Sequence, residues 1–318
     1  MQINPRILLV MLAAALTSCG PGAAPMTVEQ VPPPRPAIAG ITVDSIEQLD
    51  AVAAAVDKLS AEVTVRLVFD PRMDPGYYAT AVDRLGEHAN LMGELLDSEA
   101  MTLLDADGVR ERANAYLTAF SDKIAIWEIG NELNGKWVGD SPAEIDAKAL
   151  AAFEVVKQHG GSTAITLNYW SSPDCYDHPW EQTVPFAQQL PDKLKSEVDY
   201  LLLSVYETAC DPPQQPSAQD LAGTLTELGR IFPQAYLGIG EIGAQASQDG
   251  PKIKDPTMAE RQRIAERYLG MHRELRSRVG SRFVGGYFWW YFCRDAVPYD
   301  RPGNLWPTLD RLLTELQR

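Results

Sequence analysis

A single closed (β/α)8 barrel is the fold this sequence predicts, and three observations carry the prediction. Short apolar strands alternate with amphipathic helices along the chain, which implies a parallel sheet with helices packed over it. Eight such units can be counted. Of the 318 residues, the units occupy about 280, the usual size of an eight-stranded barrel. An open doubly wound sheet would normally show a Gly-rich phosphate loop after its first strand, and Thr42-Val43-Asp44-Ser45 has none.

The chain ahead of the barrel reads as processing sequence. Residues 1–18 have the form of a signal peptide: Arg6 near the start, then the apolar run Ile7 to Leu16. That run is shorter than the roughly 20 apolar residues of a permanent span. It closes on Leu16-Thr17-Ser18-Cys19, which resembles a bacterial lipobox. The resemblance implies that Cys19 is lipidated and becomes the new N-terminus, with Gly20 after it favouring the outer membrane. An ordinary cleaved signal followed by a stray cysteine is the competing reading. Residues 19–36, with Pro32-Pro33-Pro34 and Pro36, lack an apolar period and are expected to form an extended tether.

Residues 37–318 supply the eight units. Strand one is Ala37 to Val43, and a helix is expected from Ser45, with Gln48 completing a capping box and Ile46, Leu49, Val52, Val56 and Leu59 on one face. Strand two is Val63 to Phe69, with a helix around Tyr77 to Glu87. Strand three, Leu91 to Leu95, has the weakest pattern; its helix runs from about Asp107 to Ala119. Strand four is Ile124 to Gly130, and Ser141-Pro142-Ala143-Glu144 starts its helix with proline at the first helical position. Strand five is Ala164 to Asn168, and strand six, Val198 to Val205, leads to a helix starting at Ser217. Strand seven, Tyr236 to Ile239, runs into Glu241. Thr257 with Glu260 caps the next helix, strand eight is Phe283 to Trp290, and a last helix begins near Pro307.

Bulk chemistry narrows the partners. A net charge of -15, with no Lys/Arg cluster, argues against nucleic acid and is compatible with a neutral polysaccharide. The four histidines (His88, His159, His178, His272) have no metal-ligand spacing, and no cysteine lies in a C-x-x-C pair. Neither a metal nor an organic cofactor is expected. Cys175 and Cys210 fall in successive strand-to-helix loops, where an exported protein could join them; three unpaired thiols is the alternative. A monomer is expected.

Active sites of such barrels lie at the C-terminal ends of the strands, so the polar residues found there are the informative ones. Strand two presents Arg66, strand four Asn131 and Glu132, strand five Asn168, strand six Tyr206, strand seven Glu241 and strand eight Trp289 and Trp290. Two strand-end glutamates suit glycoside cleavage with retention, in which one carboxyl donates a proton and the other attacks the anomeric carbon. Bland readings compete. Glu132 could start a helix or sit in a salt bridge, Glu241 between its glycines could be a solvated turn residue, Arg66 could merely balance Glu128, and Tyr206 could be packing. Of the seven tryptophans, Trp127 and Trp306 read as core. Trp137, Trp170 and Trp180 fall in loops at the catalytic mouth, where a flat ring can stack on a pyranose. Trp290 is the chosen sugar floor, with Trp289 its alternate if the strand alternation slips by one.

The stretch Trp127-Glu128-Ile129-Gly130-Asn131-Glu132 together with Gly240-Glu241-Ile242 resembles the retaining glycoside hydrolases of clan A, including the cellulase-like and family 39 types. The resemblance implies Glu132 as acid/base directly after Asn131, and Glu241 as nucleophile. It implies Arg66 and Tyr206 as residues positioning that nucleophile, Asn131 as a partner of the sugar 2-hydroxyl, and Trp290 beneath the ring. The sequence lacks the histidine that several cellulase-like families carry after strand six or in strand three. Two rival functions remain open: a non-catalytic saccharide receptor on the cell envelope, and a transglycosylase that remodels glucan with the same two glutamates.

Overall fold

The computed structural model describes residues 32–249 and 252–318; the signal segment and Cys19 lie outside them. Eight parallel strands close into a barrel: β1 (Ile38–Val43), β2 (Val63–Val68), β3 (Asn90–Glu94), β4 (Ile126–Gly130), β5 (Ser162–Asn168), β6 (Tyr200–Val205), β7 (Tyr236–Ile242) and β10 (Phe283–Trp289), the last pairing back onto β1. A two-stranded hairpin, β8 (Ser247–Asp249) with β9 (Lys252–Lys254), follows β7. Helices α1 (Leu49–Asp57), α2 (Pro75–Gly86), α3 (Ala106–Phe120) and α4 (Pro142–Gln158) cover the first half of the barrel. The short α5 (Thr183–Gln189) and α6 (Asp192–Glu197), then α7 (Ala218–Ile231), α8 (Met258–Leu269), α9 (His272–Val279), α10 (Phe292–Ala296) and α11 (Trp306–Leu316), cover the rest. Among the described residues no helix is long and apolar enough to cross a membrane.

Local sequence explains where several helices begin. Ser141 accepts from the Glu144 N–H at 3.3 Å, Ser217 and Asp220 cap each other, and Thr257 does the same with Glu260, each satisfying N–H groups that a helix start leaves without partners. Asp74, unnoticed in the sequence, caps α2 ahead of Pro75. The expected box at Ser45 and Gln48 does not form. Helix α1 starts at Leu49, and Ser45 Oγ meets only the Glu47 N–H, at 3.3 Å on the surface. The Ser45 carbonyl instead accepts from the Cys293 thiol at 3.6 Å.

The core has two parts. Apolar faces of the helices pack on the outside of the strands, as with Leu309, Leu312, Leu313 and Leu316 along α11, each burial worth roughly 1.5–3 kcal/mol. Inside the barrel, Met92, Ala164, Tyr200, Leu202, Tyr236, Val284 and Phe288 fill the lower layers, so the interior is a packed plug with no channel. At the foot of the barrel Arg35 donates to the Tyr200 hydroxyl and lies 4.6 Å from the Tyr236 ring centre, while the Tyr236 hydroxyl donates to Pro33 O at 2.9 Å. Pro33 and Arg35, assigned from sequence to the tether, therefore rest on the barrel.

Candidate active site

The strand heads surround a cavity of about 430 Å³, lined among others by Asp97, Ser98, Glu132, Trp137, Asn168, Trp170, Tyr206, Glu241, Trp290 and Tyr291. Irregularities in the sheet aim the carboxylates into it. Between Leu203 and Ser204 of β6, the register against β7 slips by one residue, so Ser204 pairs with Glu241. The extra residue in β7 points Glu241 inward just above Gly240, where an added Cβ would lie 2.6 Å from Thr166 Oγ1. Glu132 follows Asn131 just past β4, and its backbone is left-handed, with φ 50°. Extended backbone would send successive side chains to opposite faces; the left-handed turn lets Glu132 line the cavity while Asn131 beside it reaches Glu241, at a cost of about 1–3 kcal/mol.

The two glutamates have contrasting partners. Glu241 Oε1 accepts from the Tyr206 hydroxyl at 2.6 Å, and its Oε2 accepts from Arg66 Nη1 at 2.8 Å and Asn131 Nδ2 at 3.4 Å. Burial pushes the Glu241 carboxyl up, while Arg66 and the Tyr206 hydroxyl hold it down. Glu132 touches no cation: its oxygens meet Ser204 Oγ at 2.6 Å and Ser98 Oγ at 3.3 Å. Burial first, and the Glu241 charge second, push Glu132 up to about 8. Donors that favour the ionised form therefore collect on Glu241, and the proton stays on Glu132.

Arg66, fully buried, holds more than the nucleophile candidate. Its Nε lies 2.7 Å from Glu128 Oε2 and its Nη2 3.0 Å from Glu94 Oε2. Its guanidinium also sits 5.2 Å from the Trp290 ring centre. Glu128 is thus a supporting carboxylate under the site, also bonded by the Thr166 hydroxyl.

The structure brings together Glu132, Glu241, Asn131, Arg66, Tyr206, Asn168, Trp170 and Trp290. Asn168 Nδ2 reaches Glu132 O at 3.4 Å, and Trp137 meets Trp170 edge-on at 6.3 Å. Trp289 is not part of the site. It is fully buried, with Nε1 donating to Asp295 Oδ2 at 3.1 Å, because the alternation along β10 turns it outward into the helix layer and leaves Trp290 over the cavity. Trp180 stacks on His178 at 5.8 Å and packs on Phe186; it does not line the cavity. Cys175 and Cys210 form a disulfide that ties the loop after β5 to the loop after β6, with Cys175 on the cavity wall. Among the described residues no group of His, Cys, Asp and Glu is arranged to hold a metal ion.

Sequence reasoning missed Glu94, Asp97, Ser98, Ser204 and Tyr291. Glu94 and Ser204 occupy inward positions of β3 and β6, two residues beyond Met92 and Leu202, so the period of two could have found them. Asp97 and Ser98 stand in the loop after β3, the strand with the weakest apolar pattern.

No protein-family model matches the chain, and no curated protein matches its sequence. Solved structures do match in shape. A glucosidase from Croceicoccus marinus aligns over 90% of this chain and 69% of its own, with 14% identity and a TM-score of 0.54. A family 1 β-glucosidase from Thermotoga maritima, in complex with isofagomine lactam, aligns over 81% and 89%, with 12% identity and a TM-score of 0.56. The AHE enzyme from Alicyclobacillus herbarius aligns over 77% of each chain, with 14% identity and a TM-score of 0.54. At these identities the likeness shows the fold they share.

Proposed function

We propose that this protein is a retaining glycoside hydrolase acting on a β-linked sugar, held at the cell envelope by lipid on Cys19. The observation that carries the reading is the opposite treatment of two carboxyls in one cavity: Glu241 bound by a cation and a phenol, Glu132 buried without a cation and protonated up to about pH 8. Two carboxyls held apart in this way provide an acid and a nucleophile. The disulfide suits an oxidising compartment outside the cytoplasm, and the β-glucosidase structures of the same fold bring the same substrate class to mind.

In this mechanism Glu241 attacks the anomeric carbon while Glu132 passes its proton to the departing glycosidic oxygen. The C–O bond to the leaving group breaks as the ester to Glu241 forms. Ester formation removes the Glu241 charge, and with it the repulsion that kept Glu132 protonated. Glu132 can then take a proton from the incoming water, whose oxygen displaces Glu241 and restores the starting configuration. Trp290 floors the sugar, and Trp137 with Trp170 walls the mouth.

The test is reducing-sugar release by the protein from Pro32 onward on β-glucans, mannans, xylans and galactans, with Glu241→Gln alongside. Release by the wild type alone is expected, with a loss of at least about 10³-fold in the variant. Tight binding to one polymer with no release from any would replace the hydrolase by a saccharide receptor. Sugar transferred to an added glycan acceptor in preference to water would make it a transglycosylase.

A further inference from the structure

We propose that Glu94 is a positioning residue that remains a neutral carboxylic acid in the resting protein, leaving the Arg66 guanidinium to Glu128 and Glu241. Its role in positioning rests on the glycosidase reading; its protonation state does not.

Stoichiometry is the first argument. Three carboxylates lie 2.7, 3.0 and 2.8 Å from one guanidinium, with every side chain in the group at most 6% exposed. With all three ionised, a single positive charge would face three negative ones in the barrel interior, and among the described residues no second Lys or Arg pairs with any of them. A buried charge without a matching partner is far costlier than a buried neutral group. At least one of the three is therefore expected to keep its proton.

Hydroxyl placement identifies which. Thr166 donates to Glu128, and Tyr206 donates to Glu241. Neither oxygen of Glu94 receives a hydrogen bond, and the Arg66 Nη2 beside it is not aligned to donate one. Hydrogen bonds to the ionised form favour that form, and Glu94 lacks them. The charged and titratable groups facing it are Arg66 from β2, Glu128 from β4, Glu241 from β7 and Asp97 from the loop above. Burial is the largest influence and pushes Glu94 well up; the three carboxylates add to it, and Arg66 alone opposes it. An ionised Glu94 would compete for Arg66, loosening its grip on Glu241. The neutral acid fills the same space without doing so.

Infrared difference spectra of wild type and Glu94→Gln at pH 7.5 test the protonation state directly. Loss of a carboxylic-acid C=O stretch is expected. Loss of a carboxylate stretch instead would overturn the proposal. Should Glu94→Gln not fold, the difference spectrum of wild type and Glu94→Asp takes its place, since only the acid at this position is altered. A shifted carboxylic-acid stretch there at pH 7.5 supports the proposal, and a shifted carboxylate stretch alone overturns it.

Given sugar release by the wild type, the pH profile then tests the role. Glu94→Gln imitates the neutral acid and is expected to keep kcat/KM within about threefold, with its acid limb unmoved, whereas Glu94→Ala loses at least about tenfold. An acid limb moved down by about one pH unit in Glu94→Gln would mean that a negative charge had been removed from beside Glu241, against the proposal. If no sugar is released by the wild type, the spectra still decide the protonation state, so the two readings fail separately.

Discussion

Tyr206, Glu132 and Glu94 each take their character from one or two neighbouring atoms. Tyr206 gives its only observed hydrogen bond to Glu241, at 2.6 Å. Tyr206→Phe deletes a donor to a charged group, worth about 1.5–3 kcal/mol, so kcat/KM should fall about 10- to 150-fold with little change in fold. In the proposed mechanism Glu132 would set the alkaline limb: activity should decline as pH rises through about 8, when the acid loses its proton. The same residue should weaken the fold. Its native value of about 8 lies above the ordinary 4.5, so between those limits the native protein holds a proton that the unfolded chain releases. Its contribution is fully present below about pH 4.5 and is lost as pH rises through about 8. Glu132→Gln should therefore be more stable than wild type at pH 7 by roughly 2–4 kcal/mol, with no gain near pH 4; equal urea midpoints at pH 7 would refute this. Glu132 and Glu241 were legible because an Asn-Glu pair and a strand-end glutamate are short local signals. Glu94 was not, since its meaning lies in Arg66, 28 positions away in sequence and on the neighbouring strand.

At the level of strands and loops, irregular register does as much for the site as residue choice. Gly286 in β10 has φ 93°, and an added Cβ would stand 2.3 Å from Ile239 O. Only glycine fits there, and the slip it permits leads to Trp290 over the cavity. Gly286→Ala should cost at least about 3 kcal/mol and lower sugar binding together with stability, as read by melting and by titration with a saccharide. The loops after β5 and β6 depend on the Cys175–Cys210 bond across a separation of 35 residues. Paired Cys175→Ser and Cys210→Ser should lose about 3–4 kcal/mol, read from urea midpoints. Strand and helix positions followed from apolar period and caps, so most of the fold could be read in advance. Bulges come from contacts between distant segments that no local period encodes.

Over the whole molecule, the incoming chain lies across part of the foot of the barrel, where Arg35 and Pro36 border a cavity of about 330 Å³. Pro33 and Arg35 bind the hydroxyls of Tyr236 and Tyr200, two groups that would otherwise face solvent or lie unpaired at the end of the plug. A chain beginning at Ala37 should melt a few degrees below one beginning at Pro32, with unchanged activity; the two bonds represent about 1–3 kcal/mol. The eight-unit count and the barrel were legible from the sequence because every unit repeats the same pattern. The clamp was not, since a proline-rich stretch reads as tether until its partners are known. Its geometry sets the direction in which the protein faces. The chain enters at the feet of the strands and the cavity opens at their heads, about 20 Å away along strands of this length. Whatever enters the cavity thus does so at the end of the barrel opposite the one on which Pro33 and Arg35 rest.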